Sequence, residues 1–356
     1  MCRTHHTRQY NGGMTKINVE AAVGTRLAHD ITEIRPGEFK GPSFRRGHKV
    51  REQDVCRLMR LGKRHLYILD LNADQVHEDD AVVELAAALA GPGVTFGREP
   101  SEGKLQLQAA YTGLLKINVP ALVDFNLIPD VMCAALHNNL PVSRGQIVAG
   151  TRAIPLVIER QVLDRAVALA TAQGPVFSVK AYHRKNVRLA ITGNEVYDGL
   201  IEDRFEAVVR EKLAAFGASL QETVILPDDP ERIADTIGRF AAADTDMIIT
   251  TGGMSVDPDD VTRHGIRMAG VDALYYGAAV LPGAMFQLAY RGEMPIVGIP
   301  ACALYHQTTV FDLVLPRLLA GEILDERDLA RFAVGGLCLN CPVCRYPACP
   351  MGKTGW

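Results

Sequence analysis

Over residues 186–319, short apolar runs alternate with longer amphipathic stretches, and that alternation predicts strands feeding helices in a parallel sheet. Val187–Ile191 reads as a strand buried on both faces, and Glu202–Phe216 as a helix closed by Gly217. Ser219–Leu226 is the next strand. Asp228 and Asp229 stand ahead of Pro230 as caps for a helix that runs to about Ala243, and Asp246–Thr250 follows as a central strand. Asp257–Met268 reads as a helix, Ala273–Tyr290 as a hairpin, Pro295–Ile299 as a last buried strand and Leu304–Leu319 as a closing helix. The predicted fold class is α/β, a three-layer, doubly wound, mostly parallel sheet over residues 179–322.

The pattern ahead of that domain is mixed and predicts an α+β region over residues 14–178, as one or two small domains. Gln53–Gly62 and Asp79–Leu89 carry helical spacing, with His65–Leu71 a strand between them. Residues 104–158 read as short strands and turns, and Gln161–Gln173 as a helix stopped by Gly174-Pro175. The polar leader, residues 1–13, has no apolar stretch of the secretory kind and is expected to be disordered.

Composition narrows the functions. No run approaches the roughly 20 apolar residues a membrane span needs, so a cytoplasmic location is expected. With 38 basic and 41 acidic residues the net charge is −3, which gives no reason to expect nucleic acid or a membrane surface as partner. A small anionic ligand would have to be held locally. Of the eight cysteines, Cys338, Cys341, Cys344 and Cys349 crowd the tail, residues 323–356, in the run C-x2-C-x2-C-x4-C-P. Thiols so close among prolines point to a metal site in a reducing compartment, either a [4Fe–4S] cluster or a structural Zn2+. Cys302 stands alone and reads as a small buried hydrophobe.

Three loops leave predicted strand ends with small or polar residues: Thr192-Gly193-Asn194-Glu195, Thr250-Thr251-Gly252-Gly253-Met254-Ser255 and Gly298-Ile299-Pro300-Ala301-Cys302. Each by itself is an ordinary strand-to-helix turn. Together they suit a ligand site, because ligands of open parallel sheets bind outside the strands' carboxyl ends, where glycines let backbone amides approach an anion.

These same residues carry a resemblance. ITTGGMSVDPDDVT (Ile249–Thr262) resembles the T-S-G-G-V-S-V-G-x-x-D signature of molybdenum insertases of the MoeA and gephyrin type. ITGNEV (Ile191–Val196) resembles that family's S-T-G-[DN]-E-L, and LPDDPERI (Leu226–Ile233) its D-D-P loop. VLPGAMF and IVGIP stand at the places of its K-P-G-K-P and G-L-P-G-N-P, and AAVGTRLAHDI (Ala21–Ile31) is similar to its opening segment.

The resemblance implies a domain that binds molybdopterin or its nucleotide form in molybdenum or tungsten cofactor biosynthesis or insertion. Gly193 and Glu195 would then line the pterin-phosphate site, beside Thr192 and Asn194. Gly252, Gly253 and Ser255 would cradle the terminal phosphate beside Thr251, with Pro300 on the third loop. Asp260 would fall on the acidic residue that handles Mg2+ or molybdate, and Asp228 or Asp229 on a second. Were the chain a Mg2+-dependent molybdopterin molybdenumtransferase, Asp260, Asp228 and Glu195 would be its catalytic candidates. The family's lysines appear here as Gly277, Leu281 and Ala284, and its G-N-P turn as Ala301-Cys302-Ala303, so binding carries over more fully than reaction. The cysteine tail stands where insertases carry a β-barrel domain. A phosphorylated pterin is the expected partner, with a molybdoenzyme apoprotein and a second copy of the chain as further ones. The rival reading is a non-enzymatic carrier or redox sensor whose cysteine cluster is the working part on a degenerate α/β scaffold.

Overall fold

The structure, a computed structural model, describes residues 14–69, 71–172, 174–253 and 261–353. Its internal contacts divide the chain into two units, one taking in residues up to 110 with 117–136 and 145–178, the other 111–116, 137–144 and 179–356. Among the described residues, no helix is long and apolar enough to cross a membrane.

The first unit is α+β. Met14–Asn18 pairs antiparallel with His65–Leu69, and Ile31–Arg35 forms a hairpin with Phe39–Phe44. An antiparallel sheet runs Val94–Phe96, Lys104–Ala109, Ile147–Ala153, Val131–Ala135 in spatial order. Helices occupy Glu52–Arg60, Glu78–Leu89 and Arg160–Ala172. A further helix, Val119–Asn126, lies inside the stretch expected to hold only strands and turns. Its signal is local: the Asn118 side chain accepts the Ala121 N–H, and proline stands in the first turn. His77 is fully buried at the start of Glu78–Leu89. Its Nε2 meets the Ala28 carbonyl at 2.6 Å while Nδ1 accepts from the Asp79 amide, so the ring is neutral, and burial lowers its pKa accordingly.

The second unit is built on one six-stranded sheet. In chain order its strands are β1 (Asn186–Thr192), β2 (Ser219–Leu226), β3 (Met247–Thr251), β4 (Ala273–Tyr276), β5 (Gln287–Arg291) and β6 (Met294–Ile299). Their spatial order is β2-β1-β3-β6-β5-β4. The first four are mutually parallel, whereas β6, β5 and β4 pair antiparallel. The sheet is therefore mixed: three of its five strand pairings are parallel, and the predicted hairpin adds its two strands at the edge with antiparallel pairing. Helices α1 (Phe205–Ala214), α2 (Pro230–Ala241), α3 (Thr262–Met268) and α4 (Val310–Leu319) complete it. The predicted helix from Asp257 is described only from Thr262, and the one from Leu304 starts at Val310 behind a 3-10 turn at Ala301–Leu304.

Alternation explains the layers. Val187, Leu189 and Ile191 of β1 and Met247 and Ile249 of β3 join a core with Val209 and Leu213 of α1 and Val310, Phe311 and Val314 of α4. Ala190 and Ile248 face the other way, onto Ile233, Ile237 and Phe240 of α2 and Ile266 of α3. Both faces of the central strands are thus covered, which is why they read as nearly continuous apolar runs. Gly265 lets α3 lie directly on α2, since a Cβ there would sit 2.7 Å from Ile233 side-chain carbons and 3.0 Å from the Pro230 carbonyl.

The tail packs onto this unit. Met351 is buried in the first core, and Cys338, Tyr346 and Cys349 rest against it. The Leu281 amide donates to the Gly336 carbonyl and the Cys338 amide to the Leu281 carbonyl, each at 2.8 Å. Gly336 is pressed against the Ala279 and Phe332 carbonyls, 2.2 and 2.4 Å from where its Cβ would be. Just before the tail, the nearly buried Glu322 carboxylate meets Arg317 at 2.7 Å and Lys116 at 2.6 Å. Burial alone would raise its pKa, but the hydrogen bonds and charges of Lys116 and Arg317 prevail and hold it down at about 2.

Two stability predictions follow from this packing. Gly265→Ala should destabilise by about 1–2 kcal/mol, overpacking exceeding the gain in helix propensity, read as a lower denaturant midpoint. Because the Glu322 pKa is depressed, its contribution is complete at neutral pH and is lost as pH falls from the ordinary carboxylate range toward about 2. Glu322→Gln should cost about 3–5 kcal/mol at pH 7, since Lys116 and Lys180 lose their carboxylate partner and Arg317 keeps only Asp328. The acid-unfolding curve of that variant should be correspondingly flatter across the same window.

Candidate functional site

The chain leaves β1 for β2 on one side and returns past it to β3 on the other, so strand order reverses between β1 and β3. A crevice opens outside the carboxyl ends of strands at such a point. Thr192 ends β1 and Thr251 ends β3, and Ile191 and Thr251 are register partners.

One buried hydroxyl joins the two ends. Thr192 Oγ1 lies 2.9 Å from the Thr251 carbonyl and 2.6 Å from Thr262 Oγ1 at the start of α3. With one proton to give, Thr192 donates to the carbonyl and accepts from Thr262. Gly252 follows at φ +83°, so close to β1 that a Cβ would lie 2.1 Å from the Thr192 carbonyl oxygen. Gly253, at φ +52°, is similarly tight against Thr262 Oγ1, at 2.4 Å. Any side chain at either position would force the loop outward.

The loop after β1 is clamped from the loop after β2. The Asn194 amide donates to Asp228 Oδ2 at 2.9 Å and the Asp228 amide donates to Asn194 Oδ1 at 3.0 Å. Asp228 is thereby engaged as a positioning group. Of the two expected caps, Asp229 is the one that caps α2, its Oδ1 accepting from the Glu231 and Arg232 amides.

Thr192, Glu195, Gly252, Gly253 and Pro300 line one cleft of about 750 Å3. Gly193 and Asn194 lie in the same loop as Glu195, while the Thr251 side chain is fully buried and does not contribute to the lining. Ser255 and Asp260 lie outside the described residues. The lining also includes the apolar Ile191, Val196, Phe205, Met285 and Leu304, together with Cys302. Burial pushes the Cys302 thiol up, so it is a neutral group there and not a thiolate.

The cleft also holds Glu202, Asp203 and Arg204, from the turn that enters α1, which were not singled out in the sequence. Asp203 caps α1 by accepting the Phe205 and Glu206 amides. The available signal was a charged triplet ahead of an apolar helix, read there simply as a helix start. Among the described lining residues Arg204 is the sole cation. Ala284, at one of the three positions where insertases have lysine, lines the cleft without charge.

The cysteines of the tail are brought together elsewhere in the same unit. Cys338, Cys341, Cys344 and Cys349 all line a second cavity, of about 400 Å3.

Residues 189–320 match the family model described as "Probable molybdopterin binding domain", and residues 16–70 match one described as a domain of unknown function. A CinA-like protein of Thermosipho melanesiensis is 37% identical over 83 residues, 23% of this chain and 20% of that protein. A molybdopterin molybdenumtransferase of Synechococcus elongatus is 23% identical over 202 residues, 52% of this chain and 50% of that protein. The chain thus matches half or less of the length of these curated relatives. The solved Mog protein of molybdopterin biosynthesis from Mycobacterium ulcerans aligns over 38% of this chain and 97% of its own, at 22% identity and a TM-score of 0.33, and adds no weight to the sequence match. Over residues 189–320, this chain carries a domain of the molybdopterin-binding family.

Proposed function

We propose that the cleft at the ends of β1, β3 and β6 binds molybdopterin or its nucleotide form, and that the chain serves molybdenum or tungsten cofactor biosynthesis. The observation that carries this reading is the convergence of Thr192, Glu195, Gly252, Gly253 and Pro300, far apart in sequence, on a single cleft. A flat heteroaromatic ring suits the apolar lining residues Phe205, Met285 and Leu304, and a phosphate suits the lining glycines Gly252 and Gly253, which carry no side chain of their own.

Charge sets the limit of the proposal. Glu195, Glu202 and Asp203 outnumber Arg204, so the phosphate relies on Arg204 and on backbone donors. Among the described residues, no three His, Cys, Asp or Glu side chains are placed to hold one metal ion, and the expected Mg2+ acid, Asp260, lies outside them. The reading is therefore one of binding.

Titration of the full chain with molybdopterin, followed by calorimetry, should give a dissociation constant on the order of micromolar or tighter, about −8 kcal/mol. No heat at tens of micromolar protein would end the proposal. Arg204→Ala should weaken the phosphorylated pterin about tenfold, the value of one charge-assisted hydrogen bond, and leave a dephosphorylated pterin unaffected. Gly252→Ala should weaken both forms while the far-ultraviolet circular dichroism stays unchanged, since the displaced loop is part of the cleft itself.

A further inference from the structure

The tail offers a second site, independent of the pterin reading. Its four cysteines come from a run without regular secondary structure, yet all of them line one cavity with Thr308, Tyr346 and Pro350. The described cysteines are all free thiols. Cys338 and Cys349 are half-buried against the main core, and Cys341 and Cys344 are exposed at the rim.

Two of the four sulfurs have hydrogen-bond partners. The Asn340 amide donates to Cys338 Sγ at 3.4 Å, and Thr308 Oγ1 lies 3.2 Å from Cys344 Sγ. A thiolate accepts only, so in the ligated state Thr308 would be the donor. Such hydrogen bonds to sulfur accompany cysteine-ligated clusters. The backbone that presents the thiols is held in place. The Lys353 ammonium donates to the Pro347 and Cys349 carbonyls, Tyr346 Oη donates to the Asp312 carbonyl at 3.3 Å, and the Gly352 amide donates to the Gly335 carbonyl at 2.8 Å.

The size of the shared cavity favours one guest. A tetrahedral Zn2+ with Zn–S bonds of about 2.3 Å draws its sulfurs to about 3.8 Å from one another. Four thiols around a common space of about 400 Å3, far larger than one metal ion, suit a guest that brings its own volume. An iron–sulfur cubane does so, taking one thiolate at each iron corner.

We propose that Cys338, Cys341, Cys344 and Cys349 together ligate one [4Fe–4S] cluster in this cavity. The fourth cysteine, one residue later than in the C-x2-C-x2-C-x3-C-P run, serves the same cluster as the other three. The cluster would sit beside the pterin cleft, since Tyr305 lines both cavities.

The test uses the full chain, purified anaerobically and reconstituted with ferrous iron, sulfide and a thiol reductant, with no pterin present. About four iron and four sulfide per chain, with a broad brown absorbance that bleaches on dithionite reduction, is the expected result. Cys344→Ser should drop iron below about one per chain, while Cys56→Ser, in the first unit, should leave it at about four. A colourless protein with one zinc and no sulfide would overturn the proposal, as would a metal-free protein whose circular dichroism is that of the folded chain. Iron content unaffected by Cys344→Ser would overturn it equally.

Discussion

The close approach of Gly252 to the Thr192 carbonyl is the contact on which the arrangement at the sheet's edge depends. Two parallel strands end side by side there, and the chain leaving each must turn into a different layer without opening a gap. The buried Thr192 hydroxyl, tied to the Thr251 carbonyl and to Thr262, locks the two ends at a spacing that tolerates no side chain in the turn. The mouth of the cleft then follows from topology. With β1 and β3 pinned together, the loop after β1 has one way out, and Asp228 holds it there through Asn194.

Much of this was legible in the residues. Strands buried on both faces announce themselves as apolar runs, and glycine pairs at their ends mark turns that a side chain would block. The alternation of β1, β2 and β3 with helices was accordingly readable, and so was the hairpin of β4 and β5. Its effect on the sheet was not, because whether a hairpin extends a parallel sheet or stands apart is decided by hydrogen bonding between strands distant in sequence. The helix Val119–Asn126 was missed because it is shorter than the window over which helical periodicity separates from strand alternation.

The candidate site shows the same division. Thr192, Glu195, Gly252, Gly253 and Pro300 could be proposed because each ends or follows a strand, and strand ends are recognisable. Arg204 could not, since it reaches the cleft from the start of α1 by a route only the packed chain defines. Asp228 was recognisable as an acid of interest, but the sequence does not say whether its carboxylate faces a ligand or a neighbouring amide. The structure shows it bracing the loop through Asn194.

The tail's dependence on the sheet has a consequence for how the molecule is made. Met351 enters the core between the sheet and α4, and the backbone at Gly336 leans on Ala279, so the cysteine cavity has no walls until those elements are in place. Translation delivers the tail after all of them. The cavity is therefore complete only once the domain that walls it has folded, and its shape is a product of tertiary packing and not of the cysteine run alone.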